Sequence, residues 1–321
     1  MKITFLGTSS GAPSRFRNVS AAVLQLNQQS CAWLFDCGEG TQHQIMRSLV
    51  RVSQIDRIFV THMHGDHVFG LPGLLASRSL QAGSLSRVSL YGPPGLQEFL
   101  RAALDLTQTR LAYPWEVITV SPGLVFEDEH TRVVCAPTSH RIASFAYAIV
   151  ERDFAGRFDV QRAINMGIPE GPLYGRLKRG ETITLEDGRV IDGSSLTGPK
   201  RKGRKVVFSG DTTYSPNLVA LADGADVLIH EATYLNEDAA LARRAAHSTS
   251  VTAAQTAREA GARTLILNHV SSRYEGEGGS RLAELLAEAQ AIFPNSYLAR
   301  DLWSYDVALQ QPEMDASPVC S

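Results

Sequence analysis

Five short apolar runs, RIFVTH, RVVCAPTSH, KVVFSGD, DVLIHE and TLILNH, each end at or just before a histidine, aspartate or glutamate. Their β-branched and aliphatic content and their shortness read as buried strands. Ala/Leu-rich segments with helical spacing alternate with them, so the chain is expected to be α/β. In such folds the loops beyond the carboxyl ends of strands are where sites are built. Five runs that finish in ligand-type side chains therefore predict one shared rim where the chemistry converges.

The rest of the chain fits that frame. KITFLG opens it as a strand, followed by AAVLQL and CAWLFDCG; QHQIMRSL and LPGLLASRSL read as helices, the second with Pro72 in its first turn. TSVTAAQTAREAG is a helix entered from a Ser/Thr cluster and stopped by Gly261. The 321 residues, 44% of them hydrophobic, are enough for a large core in one or two domains. Four scattered cysteines without a C-x-x-C pair fit a reduced, cytoplasmic setting. The N-terminal apolar run is too short for a signal-peptide core, and no stretch reaches membrane-spanning length. With a net charge of −2, any polyanion site has to come from local clustering.

The first of the five runs leads into VTHMHGDHV, which places three of the nine histidines and an aspartate within six residues. Imidazole nitrogen and carboxylate oxygen are ligands for Zn²⁺ and similar cations. His62 and His64, two apart at a strand end, are expected to point to the same side. Gly65 is expected to allow a tight turn that sends Asp66 and His67 toward a second position. His140, Asp211 and His269, each after another strand-like run, are the further donors that a pair of metals needs. His230-Glu231 ends DVLIHE, and His247 lies just before a helix. A carboxylate that orients an imidazole makes a proton donor, so Glu231 and His247 are candidates for protonating a leaving oxygen, while His230 reads as a satisfied buried histidine. Asp36 reads equally as a hydrogen-bond acceptor for a ligand histidine or as a plain structural carboxylate. GTSSGAPS lacks the G-K-[S/T] ending of a Walker A loop, which argues against a nucleoside triphosphate site.

In order, FLGTSSGAPSRFRNVSA, FDCGEGTQHQIM, THMHGDHVFGLPGLL, APTSH, FSGDT, IHEAT, AHSTS and LNHVSSRY resemble the ribonuclease Z family of the metallo-β-lactamase superfamily. The resemblance runs from the N-terminus to about Leu302. It implies a metallo-β-lactamase αβ/βα four-layer sandwich with the metals on one edge. It implies that His62, His64 and His140 hold one divalent ion, that Asp66, His67 and His269 hold a second, and that Asp211 bridges them. The metals would be Zn²⁺, with Mn²⁺ as the alternative. The implied reaction is hydrolysis of a phosphodiester in precursor tRNA, removing the 3′ trailer and leaving a 3′-hydroxyl, with Asp66 accepting or orienting the proton of the attacking water.

Residues 151–205 break the strand–helix rhythm, being rich in Gly, Pro and basic residues. Within a single domain of residues 1–310, they read as an inserted arm over about 151–185 plus a small hairpin; residues 311–321 read as a disordered tail. MGIPEGPLYGRLKRGE resembles the family's flexible tRNA-gripping arm. Arg176, Lys178 and Arg179 there, with Lys200, Arg201 and Lys202 in GPKRKGRK, are the candidate phosphate contacts. The resemblance further implies a homodimer, with one subunit's arm presenting tRNA to the other's metals. A phosphodiesterase for small phosphodiesters would need the same metals but not the basic arm. A di-iron oxidoreductase of this fold resembles the pattern with Glu in place of His64.

Overall fold

The computed structural model describes residues 1–26, 31–81, 86–276 and 280–310. The tail, 311–321, lies outside the described residues. The strands are β1 (Lys2–Gly7), β2 (Ala21–Gln25), β3 (Ala32–Phe35), β4 (Ile55–Phe59), β5 (Val88–Gly92), β6 (Trp115–Thr119), β7 (Gly123–Glu127) and β8 (Thr131–Pro137). They continue with β9 (Phe145–Glu151), β10 (Thr182–Thr184), β11 (Val190–Asp192), β12 (Lys205–Phe208), β13 (Val227–Glu231), β14 (Leu265–Asn268), β15 (Ser296–Leu298) and β16 (Ser304–Asp306). One seven-stranded sheet runs β16-β1-β2-β3-β4-β5-β6 and a second runs β15-β14-β13-β12-β9-β8-β7.

Alternation along the strands decides the layers. Trp33 and Phe35 of β3 enter one core while Ala32 and Leu34 enter another, and Val227 and Ile229 of β13 part company with Leu228 in the same way. The core between the sheets joins Trp33, Phe35 and Phe59 to Tyr147, Phe208 and Ile229, with the Phe35 and Phe208 rings stacked at 3.9 Å. Helices Thr41–Met46, Leu71–Gln81 and Leu96–Leu106 cover the outer face of the first sheet. Helices Pro216–Leu221, Ser250–Glu259 and Ser280–Gln290 cover that of the second. This is the αβ/βα sandwich. Thr249 caps the helix Ser250–Glu259 by accepting from the Thr252 N–H, and Gly261, at φ 58°, takes the left-handed step past its end.

Strands β12, β13, β14 and β15 pair in parallel, so their carboxyl ends share an edge. Asp211 follows β12, Glu231 ends β13 and His269 follows β14. From the first sheet, β4 delivers Thr61 and His62 just past its end.

The structure divides into two compact units, Met1–Val150 with Lys205–Val307, and Glu151–Arg204 with the residues from Ala308. The second has its own core of Ala163, Ile168, Leu177, Ile183 and Leu196, built on helices Val160–Asn165 and Pro172–Lys178 and the hairpin β10–β11. The sequence reads an excursion over 151–205, an arm to about 185 plus a small hairpin, and this unit spans Glu151–Arg204 with its hairpin at β10–β11. Its two ends are tied together: Phe154 pairs with Arg201, Phe158 with Thr197, and the buried Arg204 guanidinium grips Glu151 at 2.6 and 2.7 Å. No helix among the described residues is long and apolar enough to cross a membrane.

Candidate metal centre

His62 and His64 lie in the loop after β4 rather than in the strand, yet their Nε2 and Nδ1 atoms approach to 3.0 Å. His140 Nε2 reaches the same His64 Nδ1 at 3.2 Å. Gly65 opens the helical turn Gly65–Val68, which aims Asp66 and His67 away from this trio. Its φ is negative, so the glycine serves space rather than a tight turn: a Cβ there would lie 2.2 Å from the Phe69 ring. His67 Nε2 meets His269 Nε2 at 3.2 Å, and Asp66 Oδ2 lies 3.3 Å from His269 Nε2. Asp211 Oδ2 stands between the groups, 3.6 Å from His62 Nε2 and 3.5 Å from both His67 Nε2 and His269 Nε2.

The partners on the far side of each ring fix its tautomer. His140 Nδ1 donates to the Ala246 carbonyl at 2.7 Å, and His67 Nδ1 donates to Asp36 Oδ2 at 2.8 Å. Thr61 Oγ1 donates to Asp36 and so accepts from His62 Nδ1, at 3.0 Å. In the neutral rings these bonds leave the inward nitrogens as lone pairs facing one another. Tetrahedral coordination at 2.0–2.1 Å would set neighbouring nitrogens about 3.3 Å apart, close to the spacings seen. His62, His64 and His140, then Asp66, His67 and His269, then His62, His67 and Asp211 each bring their donor atoms within 4.8 Å of one another. The donor set fits divalent metal ions.

Electrostatics agree. Burial pushes His62 down to about 2 and also lowers His64 and His140, so these rings are neutral donors at pH 7. Burial opposes charge on His67, but the carboxylates of Asp211 and Asp36 override it and hold its pKa well above the usual value. Asp211 is held well below the usual carboxylate range against its burial by His269, His67 and His62. Protonating His67 is thus the cluster's own way of balancing buried carboxylates, and a divalent cation would do the same.

Beside the cluster, His247 Nδ1 donates to Glu231 Oε1 at 2.9 Å. Burial disfavours the His247 cation, yet Glu231, with Asp211 and Asp66 behind it, outweighs burial and raises the pKa to about 9. Glu231 is itself buried and also accepts from the Thr212 N–H at 2.8 Å and the Thr233 hydroxyl at 2.6 Å. His230 is fully buried in β13, and its Nδ1 donates to the Glu231 carbonyl at 2.7 Å.

Residues 191–270 match the family model "Beta-lactamase superfamily domain", and residues 1–157 match "Anti-Pycsar protein Apyc1". Ribonuclease Z of Acaryochloris marina is 56% identical over 307 residues, 96% of this chain and 98% of that protein. Ribonuclease Z of Brevibacillus brevis is 52% identical over 314 residues, 98% of this chain and 99% of that one. The chain belongs to the ribonuclease Z family. The crystal structure of the short form of human tRNase Z superposes with a TM-score of 0.69 at 30% identity, over 96% of this chain and all of that one. A metallo-β-lactamase-fold protein of Bacillus subtilis, YhfI, is 20% identical with a TM-score of 0.65 and shares the fold.

In this chain all seven residues read from sequence as metal donors come together, although they span residues 62 to 269. The basic candidates are distributed less simply. Lys178, Lys200 and Lys202 are exposed, while Arg176 and Arg179 both pair with Glu181 at 2.9 Å. Arg201 is half-buried over the Phe154 ring at 5.8 Å. Of the five basic residues in GPKRKGRK, Arg204 is taken by Glu151, and Lys205 Nζ donates to the Asp223 carbonyl at 2.7 Å. Sequence reading missed Thr61, Thr233 and Gly11, whose N–H donates to Asp66 Oδ2 at 2.8 Å. A hydroxyl or a backbone N–H carries no pattern that would single it out.

Proposed function

We propose that this ribonuclease Z family member removes the 3′ trailer of precursor tRNA by hydrolysing one phosphodiester, leaving a 3′-hydroxyl on the tRNA. The observation that carries this is the convergence of donor atoms from four chain segments, residues 62–67, 140, 211 and 269, into neighbouring metal-competent groups. In this reading His62, His64 and His140 hold one divalent cation, Asp66, His67 and His269 hold a second, and Asp211 serves both. Zn²⁺ suits the all-N/O donor set, with Mn²⁺ as the alternative. Such ions supply Lewis acidity toward a phosphoryl oxygen and lower the pKa of water toward about 7.

The chain's own residues do the rest. One oxygen of Asp66 is held by the Gly11 N–H, leaving the other to orient or accept the proton of the attacking water. His247 uses Nδ1 on Glu231, so the proton it gives to the leaving ribose oxygen departs from Nε2. Lys178, Lys200 and Lys202, with Arg176 and Arg179 once released from Glu181, offer sequence-independent phosphate contacts on the second unit. We infer a cytoplasmic homodimer in which one subunit's second unit captures the tRNA cut by the other, which light scattering tests directly.

The decisive assay uses a radiolabelled precursor tRNA beside bis-(p-nitrophenyl) phosphate. It compares wild type, Asp66→Ala, and a deletion joining Gly156 to Gly198, whose backbones already touch. One endonucleolytic cut that Asp66→Ala abolishes is expected. The deletion should lose tRNA cleavage and keep small-ester turnover. Small-ester turnover by wild type without tRNA cleavage would instead make this a small-phosphodiester hydrolase.

A further inference from the structure

The metal cluster and the His247–Glu231 pair meet at one hydroxyl. Thr233 lies two residues past Glu231, buried, in the turn after β13. Its Oγ1 stands 2.6 Å from Glu231 Oε2, 3.1 Å from His269 Nδ1, 3.0 Å from the His269 carbonyl and 3.4 Å from His247 Nδ1. A hydroxyl has one proton and two lone pairs. The shortest contact, to an ionised carboxylate, takes that proton, because charge-assisted hydrogen bonds are the strong ones. Oγ1 must then accept from His269 Nδ1, which puts the ring's only other nitrogen, Nε2, into the cluster as a bare lone pair. That atom is the one facing His67 Nε2 and Asp66 Oδ2.

His269 needs the help. Its φ of 55° is a left-handed backbone that non-glycine residues rarely adopt, and it emerges from β14 in that conformation. Three of the other donor rings have their own partners: Asp36 for His67, Thr61 for His62, the Ala246 carbonyl for His140. Thr233 alone among these partners also bonds the carboxylate that orients His247.

We propose that Thr233 is a positioning residue that fixes the tautomer of His269 and the carboxylate of Glu231 with one hydroxyl, so that the metal site and the proton donor are assembled as a unit. The inference rests on the metal-site reading above. It makes the direction of the hydroxyl proton the coupling element: His269 Nδ1 donates to Thr233, Thr233 donates to Glu231, and the same carboxylate accepts from His247 Nδ1 on its other oxygen. A side chain of the same shape without the hydroxyl breaks the chain at two points at once.

The test compares Thr233→Val, which keeps the shape, with Thr233→Ser, which keeps the hydroxyl. Zn²⁺ affinity is measured by competition with a chromophoric chelator. Turnover is measured on precursor tRNA, whose leaving oxygen needs a proton, and on bis-(p-nitrophenyl) phosphate, whose leaving group does not. Thr233→Val should bind the weaker Zn²⁺ equivalent 10–100-fold less tightly, the range expected when the partner of a ligand histidine is removed. With Zn²⁺ saturating, its kcat on tRNA should stay depressed while small-ester kcat recovers and KM for tRNA is unchanged. Thr233→Ser should restore both. In a His269→Ala background, Thr233→Val should add no further loss of Zn²⁺ affinity. If Thr233→Val is poorly folded, Thr233→Ser carries the test: it should keep wild-type Zn²⁺ affinity and tRNA kcat, and a loss of either there would overturn the proposal. Wild-type Zn²⁺ affinity in Thr233→Val, or losses that simply add in the double variant, would overturn the proposal. A wild type that binds no divalent metal would overturn the metal reading along with it.

Discussion

Asp36 holds two parts of the metal centre with one carboxylate. It accepts from the Thr61 N–H at 2.8 Å and from His67 Nδ1 at 2.8 Å, with its own backbone at φ 56°. Asp36→Gly relieves the backbone but removes the acceptor, and should lower metal affinity and turnover 10–100-fold. Asp36→Asn tolerates that backbone and keeps one acceptor oxygen, so it should lose less; equal losses in the two would show that the carboxylate's charge, not its geometry, matters. His247 gives the pH prediction. Its pKa is raised to about 9, chiefly by Glu231 acting against burial, so the protonated donor persists through neutral pH and turnover should fall as pH rises through about 9. The same raised pKa means that the pair's contribution to stability is complete below about 6.5 and is lost across that interval. Glu231→Gln leaves only Asp211 and Asp66 to oppose burial, so the alkaline limb should move to lower pH; a pH–rate profile with an unmoved limb would remove His247 as the donor. Histidines were legible in the sequence because nine are few and three crowd into one loop. Thr233 was not, since its partner His269 lies 36 positions away and only the fold brings them together.

The segment 151–204 is the excursion with a small hairpin read from sequence, but the core inside it was not legible there. Glycines, prolines and charges hid a small core because its apolar residues, such as Ile168, Leu177 and Ile191, are too sparse to show a period. Closure depends on a contact no local pattern reveals, the pairing of Glu151 and Arg204 across 53 residues with side chains only 5% and 4% exposed. Removing one partner of such a pair typically costs about 3–5 kcal/mol, since the other charge stays buried and unpaired. Arg204→Ala should therefore open this unit to limited proteolysis and raise KM for precursor tRNA, with small-ester turnover unchanged. Replacing both residues by methionine should restore protease resistance. If Arg204→Ala resists proteolysis like wild type, the pair does not close the unit. The strands of the sandwich were easier to read, because alternation such as Trp33 and Phe35 against Leu34 survives in any stretch that divides two cores. Gly65 was noticed for the wrong reason: what it needs is room beside the Phe69 ring, which only the packed structure shows.

At the scale of the molecule, the site is a link between layers that only the folded chain can make. His62, His64, Asp66 and His67 come from beyond β4 of one sheet, and His140, Asp211 and His269 from the other. An unfolded chain holds the first four near one another in sequence but cannot bring the last three to them. Metal should therefore bind the native state far better than the unfolded one, and binding free energy becomes folding free energy. At a free metal concentration about 1,000 times the Kd, the gain is about 4 kcal/mol per site. For a domain of this size that is on the order of 10 °C in Tm. All seven donors belong to the unit of Met1–Val150 and Lys205–Val307, and none to the second unit. Scanning calorimetry with Zn²⁺ and with a chelator should accordingly move the main transition and leave any separate transition of the second unit in place. Asp211→Ala, which removes the oxygen facing His62, His67 and His269 together, should abolish most of the Zn²⁺-dependent shift. A main transition indifferent to chelator would mean that the strand ends meet without a metal to hold. The clustered lone pairs would then need another counter-charge, such as the His67 proton.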